Sequence, residues 1–382
     1  MNEKIIELTS DLIRQESENP PGNEHGVGDY LKTRLQSSPV PFDIEFYEVA
    51  PRRPNVVARV GNPTNGSVLL AGHTDVVPAH AADWSANPYE PIVRDGRLVG
   101  RGAADMKGAL AAKILATEAY YETTDDPGQV IIAFVVDEET NGAGMQTLVN
   151  RGIDADAAII GEPTNLQICT AQKGVARYNL TVRGESGHSG RPDDAINAIT
   201  GLNHVLDRIE TLDDRLRGEE HHPSLAPETI TVTEIEGGIA PNVVPDMATA
   251  TVDWRFHPGK TDPNRFDHRL QELLDGVIFD NKPVSVQVDR TVFARAAEIS
   301  PDHPLVDALR RAAQTDGVSA DAVGFNAATD ARFLIHDAGI PTVLFGPGSI
   351  EHDAHTVDES VQIADLTATA ETYRGALTQL LS

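Results

Sequence analysis

Five groups of ionisable residues fall at the ends of short apolar runs or in the loops that follow them. They are His73 with Asp75, Asp105, Glu138 with Glu139, Glu162, and the stretch His352-Asp353-Ala354-His355. Carboxylates gathered at one sheet edge repel each other unless they share a proton or bind a cation. Histidines added to carboxylates suit a borderline metal such as Zn2+, Co2+ or Mn2+. Two histidines and three carboxylates suffice for two metals if one carboxylate bridges, with the ions about 3.5–4 Å apart around a shared hydroxide. Asp105 suits the bridge, because its side chain is short and precedes an alanine-rich helix. Glu138 adjoins Glu139. Neighbours at a strand end can point differently, so Glu139 can hold metal while Glu138 faces substrate as a base that moves a proton from water to the leaving group. Asp75, two residues from His73, can accept the proton of the imidazole nitrogen that does not bind metal.

These residues need a scaffold, and the periodicity supplies one. Residues 3–16 and 25–36 have helical spacing, with Pro20, Pro21 and Gly22 between them. Strands are expected at 42–49 and 55–60. Val68-Leu69-Leu70-Ala71 runs into Gly72-His73-Thr74-Asp75. Val130-Ile131-Ile132-Ala133-Phe134-Val135-Val136 runs into Asp137-Glu138-Glu139-Thr140, and 156–160 runs into Gly161-Glu162-Pro163-Thr164. Apolar runs flanked by polar turns fit buried strands of a parallel sheet, whose ends present ligands. Residues 107–121 are alanine-rich and read as a helix.

The pattern changes near residue 176. Strands that alternate at 177–183, 229–235 and 248–256, a short one at 284–288, and helices at 193–212 and 263–276 give the order strand, helix, strand, strand, helix, strand. That is the ferredoxin-like order. Helices at 305–315, 330–336 and 359–379 and a strand at 340–345 then restore the first pattern. The expected fold is therefore α/β: a domain with a central, mainly parallel sheet (residues 1–175 and 293–382) interrupted by a βαββαβ domain (176–292).

Composition excludes several classes. Lys+Arg is 31 against Asp+Glu 58, a formal charge of -27 that repels nucleic acid and anionic membranes. No apolar window approaches a membrane span, and the opening residues do not read as a secretory signal. Cys169 is the single cysteine, so no intrachain disulfide forms, in keeping with a reducing cytoplasm. Only 7 of the 31 basic residues are lysines, and the acidic excess is spread along the whole chain. Such a surface repels itself at low salt and is screened at high salt, which points to a cytoplasmic protein of a high-salt source. The unfolding midpoint is expected to rise with KCl; a fold equally stable without salt contradicts this reading.

Five motifs resemble one family: Gly72-His73-Thr74-Asp75-Val76-Val77-Pro78, residues 100–108 around Asp105, Asp137-Glu138-Glu139-Thr140, Gly161-Glu162-Pro163-Thr164, and His355-Thr356-Val357-Asp358-Glu359. In this order and spacing the chain resembles the M20 dinuclear metal amidohydrolases, the acetylornithine deacetylase and succinyl-diaminopimelate desuccinylase group, here of halophilic-archaeal character. The resemblance implies a catalytic α/β domain with a ferredoxin-like lid that forms a homodimer. It assigns His73, Asp105 and Glu162 to one metal, and Asp105, Glu139 and His355 to the other. Glu138 becomes general base and then acid, and Asp75 orients His73. Of the two C-terminal histidines it selects His355 over His352.

In the lid, the resemblance gives His188 of Gly187-His188-Ser189-Gly190 to the oxyanion and Asn242 to the substrate. Arg255 of Asp253-Trp254-Arg255 would grip a carboxylate, unless it closes a salt bridge. Thr329 and Arg332 match the desuccinylase substrate segment, where Arg332 would hold a second carboxylate unless it closes an internal ion pair; Asn326-Ala327-Ala328 stand where that segment usually has Gly residues, and no Ser intervenes before Asp330. The implied reaction is hydrolysis of an N-acyl-L-amino acid amide. N-succinyl-LL-diaminopimelate is the first choice, ahead of N-acetylornithine and then a dipeptide. A metal-free binding protein on this fold is the other class, and it leaves the intact ligand set and its clustered charge unexplained.

Overall fold

A computed structural model describes residues 2–219, 221–279, 282–315, 317–318 and 321–381. The chain forms two units. One comprises Met1–Thr170, Ile299–Val323 and Thr329–Ser382, and the other Ala171–Glu298 and Gly324–Ala328.

The first unit is built on a mixed sheet. Its centre is parallel: Gly128–Val135, Asn62–His73, Ala157–Ile160 and Thr342–Leu344 lie side by side in that order. Antiparallel strands flank it, with Arg53–Val60 and then Asp43–Ala50 beyond Gly128–Val135, and Ile168–Gln172 beyond Thr342–Leu344. The uninterrupted apolar run Val130–Val135 is buried on both faces, as a central strand must be. Each such Ile, Val or Phe contributes about 1.5–3 kcal/mol by leaving water. All four parallel strands point the same way, so their carboxyl ends, His73 and the residues after Val135, Ile160 and Leu344, share one edge of the sheet.

The alanine-rich helix Gly108–Thr123 is buried along nearly its whole length, and its small side chains let the C-terminal helix Ile363–Leu380 pack against it. That last helix starts later than its composition suggests, because Ser360–Gln362 pairs as a strand with Arg97–Val99. The helix expected at 330–336 is α-helical only over Ala331–Phe333 and widens into a π turn over Leu334–Ala338.

The second unit is a four-stranded antiparallel sheet in the order Thr229–Gly237, Met247–Phe256, Gly174–Arg183, Ser285–Ala294. With helices Ala198–Gly218 and Pro263–Leu274 it has the ferredoxin-like order. Tyr178, Leu180, Leu202, Ile209, Trp254 and Phe266 are among its core residues. Trp254 and Phe266 meet edge to face at 5.0 Å. The first helix starts at Ala198 rather than 193, because the Asn197 side chain accepts the N–H groups of Ile199 and Thr200 and caps it there. The last strand runs to Ala294, well past the short apolar run that marked it. No described helix is long and apolar enough to cross a membrane.

Candidate metal centre

The site lies within the first unit, at the carboxyl ends of the parallel strands. His73 ends its strand, and Gly72 before it is closely packed: a Cβ there would lie 2.3 Å from Met106 Cε and 2.7 Å from Leu110 Cδ2, so those side chains would have to shift. Asp105 is 6% exposed and lies between two imidazoles. Its Oδ1 is 3.0 Å from His73 Nε2 and its Oδ2 is 3.3 Å from His355 Nε2. His355 Nε2 is also 3.1 Å from Glu139 Oε2. His73, Asp105 and Glu139 offer ligand atoms that all fall within 4.8 Å of one another. His352 is exposed on the same loop, and no described hydrogen bond or ion pair joins it to this cluster.

Two backbone devices hold these groups. The carboxylate of Glu359, 1% exposed, accepts the N–H groups of Gly102, Ala104 and Asp105 at 2.9–3.0 Å and Arg101 Nη1 at 2.7 Å. It thereby fixes the turn that carries Asp105. The other device is Asp75. The expectation was that its carboxylate orients His73, but the main-chain carbonyl of Asp75 is the nearer acceptor, 2.9 Å from His73 Nδ1 against 3.7 Å for Oδ1. The carboxylate is occupied by the N–H groups of Glu138 (3.2 Å) and Glu139 (3.1 Å). One residue therefore orients His73 through its backbone and the Glu138–Glu139 pair through its side chain.

Electrostatics describe a site short of positive charge. Burial pushes the Glu162 carboxyl up to about 8, with Asp105 adding to the shift. Burial, and then Glu162, hold Glu138 well above the ordinary carboxylate range. Hydrogen bonds to Asp105 and Glu139 raise His355 to about 11. Burial alone would lower His73, but Asp105 and the surrounding carboxylates outweigh it and leave the imidazole raised. Glu162 Oε1 is buried with no hydrogen-bond partner among the described residues. Clustered buried carboxylates, histidine donors beside them and an orphaned carboxylate oxygen fit a divalent cation.

Two residues of the site carried no role in the sequence reading. Glu359 is one, although it stands in the motif that ends at that position. Asp330 is the other. It is 1% exposed, burial raises its carboxyl to about 6 with Arg332 opposing, and neither carboxylate oxygen has a hydrogen-bond partner among the described residues. No apolar run ends at Asp330, which is the signal that marked His73, Glu138, Glu139 and Glu162.

Lys113 is fully buried in the Gly108–Thr123 helix and donates to the Ala71 carbonyl at 2.5 Å. Burial lowers it from 10.5 to about 7, with Glu162 opposing. Between those values the unfolded chain binds the proton and the folded chain does not, so this residue makes stability rise with pH. The stability of the unchanged protein relative to Lys113→Met is expected to rise from pH 7 to pH 10 in denaturant titrations. A difference independent of pH contradicts this.

The remaining sequence candidates are placed locally. Thr329 is buried, and its Oγ1 accepts the Ala331 N–H at 3.2 Å. Arg332 Nη1 donates to the Thr329 carbonyl at 2.8 Å, with the guanidinium 4.3 Å from the Phe333 ring centroid. In the second unit, His188 is exposed, and its Nδ1 accepts the Gly190 N–H at 3.0 Å. Asn242 is exposed, and its carbonyl accepts the Ser189 N–H at 3.0 Å. Arg255 donates through Nε to Asp253 at 2.5 Å, and Asp253 also takes Arg177 at 2.8 Å. The salt bridge that was the alternative for Arg255 is thus present.

Residues 69–379 match peptidase family M20/M25/M40. The chain belongs to this family and is an M20 amide hydrolase. It is 34% identical to acetylornithine deacetylase of Proteus mirabilis over 86% of this chain and 84% of that one. It is 32% identical to succinyl-diaminopimelate desuccinylase of Marinobacter nauticus over 99% and 98% of the two chains. A tripeptidase from Staphylococcus aureus shares the fold, with a TM-score of 0.82, 20% identity and coverage of 100% and 99%.

Proposed function

We propose that the chain hydrolyses the amide bond of an N-acyl-L-amino acid, with N-succinyl-LL-diaminopimelate as the preferred substrate, using two divalent cations. The observation that carries the reading is Asp105 between His73 and His355, with Glu139 on His355 and Glu138 beside it. His73, Asp105 and Glu162 would hold one cation and Asp105, Glu139 and His355 the other, zinc first, with cobalt or manganese as alternatives. Divalent cations held there would supply polarisation of the amide carbonyl and acidification of the attacking water.

The chain's own residues do the rest. Glu138 takes a proton from that water on a carboxylate oxygen and returns it to the departing amine nitrogen. Asp75 holds the N–H groups of Glu138 and Glu139 while its carbonyl keeps the His73 ring in place. By resemblance, His188 donates to the charge that develops on the amide oxygen, Asn242 contacts substrate, and Arg255 would bind its carboxylate only by exchanging its ion pair with Asp253. Thr329 and Arg332 would complete the desuccinylase substrate segment. The desuccinylase relative, aligned over nearly the whole of both chains, supports the succinyl substrate.

One observation favours a second reading. Arg332 is engaged by the Thr329 carbonyl and the Phe333 ring, which leaves it less suited to a second substrate carboxylate. N-acetylornithine, whose acyl group has none, is therefore the alternative. Steady-state hydrolysis of the two substrates at equal concentration, in high KCl with Zn2+ or Co2+, decides between them. Faster turnover of the succinyl substrate supports the proposal, and faster turnover of the acetyl substrate replaces it. A cytoplasmic location, a high-salt source and a homodimer through the second unit belong to the same proposal. The Thr229–Gly237 strand at the edge of that unit's sheet, with Ile235 58% exposed, supports the dimer, which sedimentation can test.

A further inference from the structure

Asn19 opens the segment Asn19-Pro20-Pro21-Gly22, which the sequence marks only as a helix stop. In the structure it belongs to a short stretch that runs beside residues 74–76. Ser17 Oγ donates to the Thr74 carbonyl at 2.7 Å, Val76 N donates to Ser17 O at 3.0 Å, and Asn19 N donates to Val76 O at 2.9 Å. This pairing carries the Asn19 side chain, 3% exposed, to the turn that follows Val136.

Three acceptors converge on its amide nitrogen. Asn19 Nδ2 is 2.8 Å from Asp75 Oδ2, 3.1 Å from Thr140 Oγ1 and 3.2 Å from Asp137 Oδ1. Each acceptor holds part of the same turn. Asp75 takes the N–H groups of Glu138 and Glu139. Asp137, at a left-handed φ of 71°, takes the Thr140 hydroxyl at 2.6 Å, the Ala143 N–H at 3.3 Å and Arg53 Nη1 at 2.7 Å. Arg53 is in turn anchored on Glu24, which is fully buried. Asp75 and Asp137 are two carboxylates drawn to one neutral donor. Without that donor they would repel, and the turn between them would lose its tie to the His73–Asp75 segment.

We propose that Asn19 is a positioning residue. Its amide ties Asp75 to Asp137 and Thr140, and so fixes residues 137–140 in the conformation that presents Glu138 and Glu139 alongside His73. This deepens the proposed function and rests on its roles for Glu138 and Glu139. Outer partners of metal ligands commonly change affinity or activity by about 10–100-fold when removed.

The test reads Zn2+ affinity of the full chain by competition with a chromophoric chelator, together with thermal unfolding of the metal-free protein. Asn19→Ala is expected to weaken Zn2+ binding about tenfold, with the metal-free protein still unfolding cooperatively at a midpoint lowered by roughly a few degrees. Asn19→Asp keeps the shape but sets a third carboxylate against Asp75 and Asp137, and is expected to weaken binding about a hundredfold. A residue that merely fills space would show the reverse order, with Asp close to the unchanged protein and Ala worse.

Thr140→Val reads the same turn from an exposed position if the Asn19 variants do not fold, with a loss of roughly three- to tenfold expected. Zn2+ affinity within twofold of the unchanged protein, in Asn19→Ala or in Thr140→Val, overturns the proposal, as does an Asn19→Asp protein that binds as well as the original. In the active enzyme, Asn19→Ala is expected to lower kcat while KM stays within about threefold. If neither N-acyl substrate is turned over by the unchanged protein, the substrate reading fails by itself, and the affinity ratios still decide the role of Asn19.

Discussion

Glu138→Gln is expected to lower kcat for amide hydrolysis by about 10²–10⁴-fold while the protein keeps its metals, because the amide preserves shape but cannot take the proton of water or return it to the amine. No described hydrogen bond involves the Glu138 side chain; its backbone N–H donates to Asp75, so the substitution leaves the turn in place. Its carboxyl is held high by burial and by Glu162. Metal content measured beside steady-state rates separates the outcomes. Retained activity removes Glu138 from the role of base, and loss of metal together with activity makes it a ligand instead.

Asp105→Ala is expected to have the second large effect. Among the described residues, Asp105 is the one whose two carboxylate oxygens face both His73 and His355. Its removal takes a ligand from both proposed cations and leaves the two imidazoles without the carboxylate between them. Loss of both cations on desalting and a fall in kcat/KM of at least about 10³-fold are expected, since the cations supply several kcal/mol of charge stabilisation. A variant that still holds two equivalents of metal contradicts the bridging role. Loss of a single equivalent would place Asp105 on one ion alone.

Much of this site is legible in the sequence, for a physical reason. His73, Glu138, Glu139 and Glu162 each follow an apolar run, and the parallel strands those runs form end at one edge. Strand periodicity therefore locates the residues before any geometry is known. The ferredoxin-like order of the second unit is legible in the same way, from alternation and helical spacing. What stays hidden depends on who partners whom. Arg255 and Arg332 read in sequence either as grips for a substrate carboxylate or as members of internal pairs, and only the structure shows Asp253 and the Thr329 carbonyl engaging them within a few residues. Asp75 looks like the partner of His73 by spacing, and it is, but through its carbonyl, because its carboxylate is drawn to the Glu138 and Glu139 N–H groups. Glu359 reads as the start of a helix and instead caps the turn that carries Asp105. Asp330 follows no apolar run, so periodicity passes over it. Element ends moved for similar reasons: the Asn197 cap delays one helix, and strand pairing of Ser360–Gln362 delays another.

The most direct test of the central claim is titration of the metal-free protein with Zn2+ or Co2+ in high KCl, with hydrolysis of N-succinyl-LL-diaminopimelate and N-acetyl-L-ornithine followed at each step. The account predicts no turnover without metal, and activity that rises to a plateau at two equivalents per chain. Undiminished hydrolysis by the metal-free protein, or metal bound at two equivalents with neither amide cleaved, would contradict it.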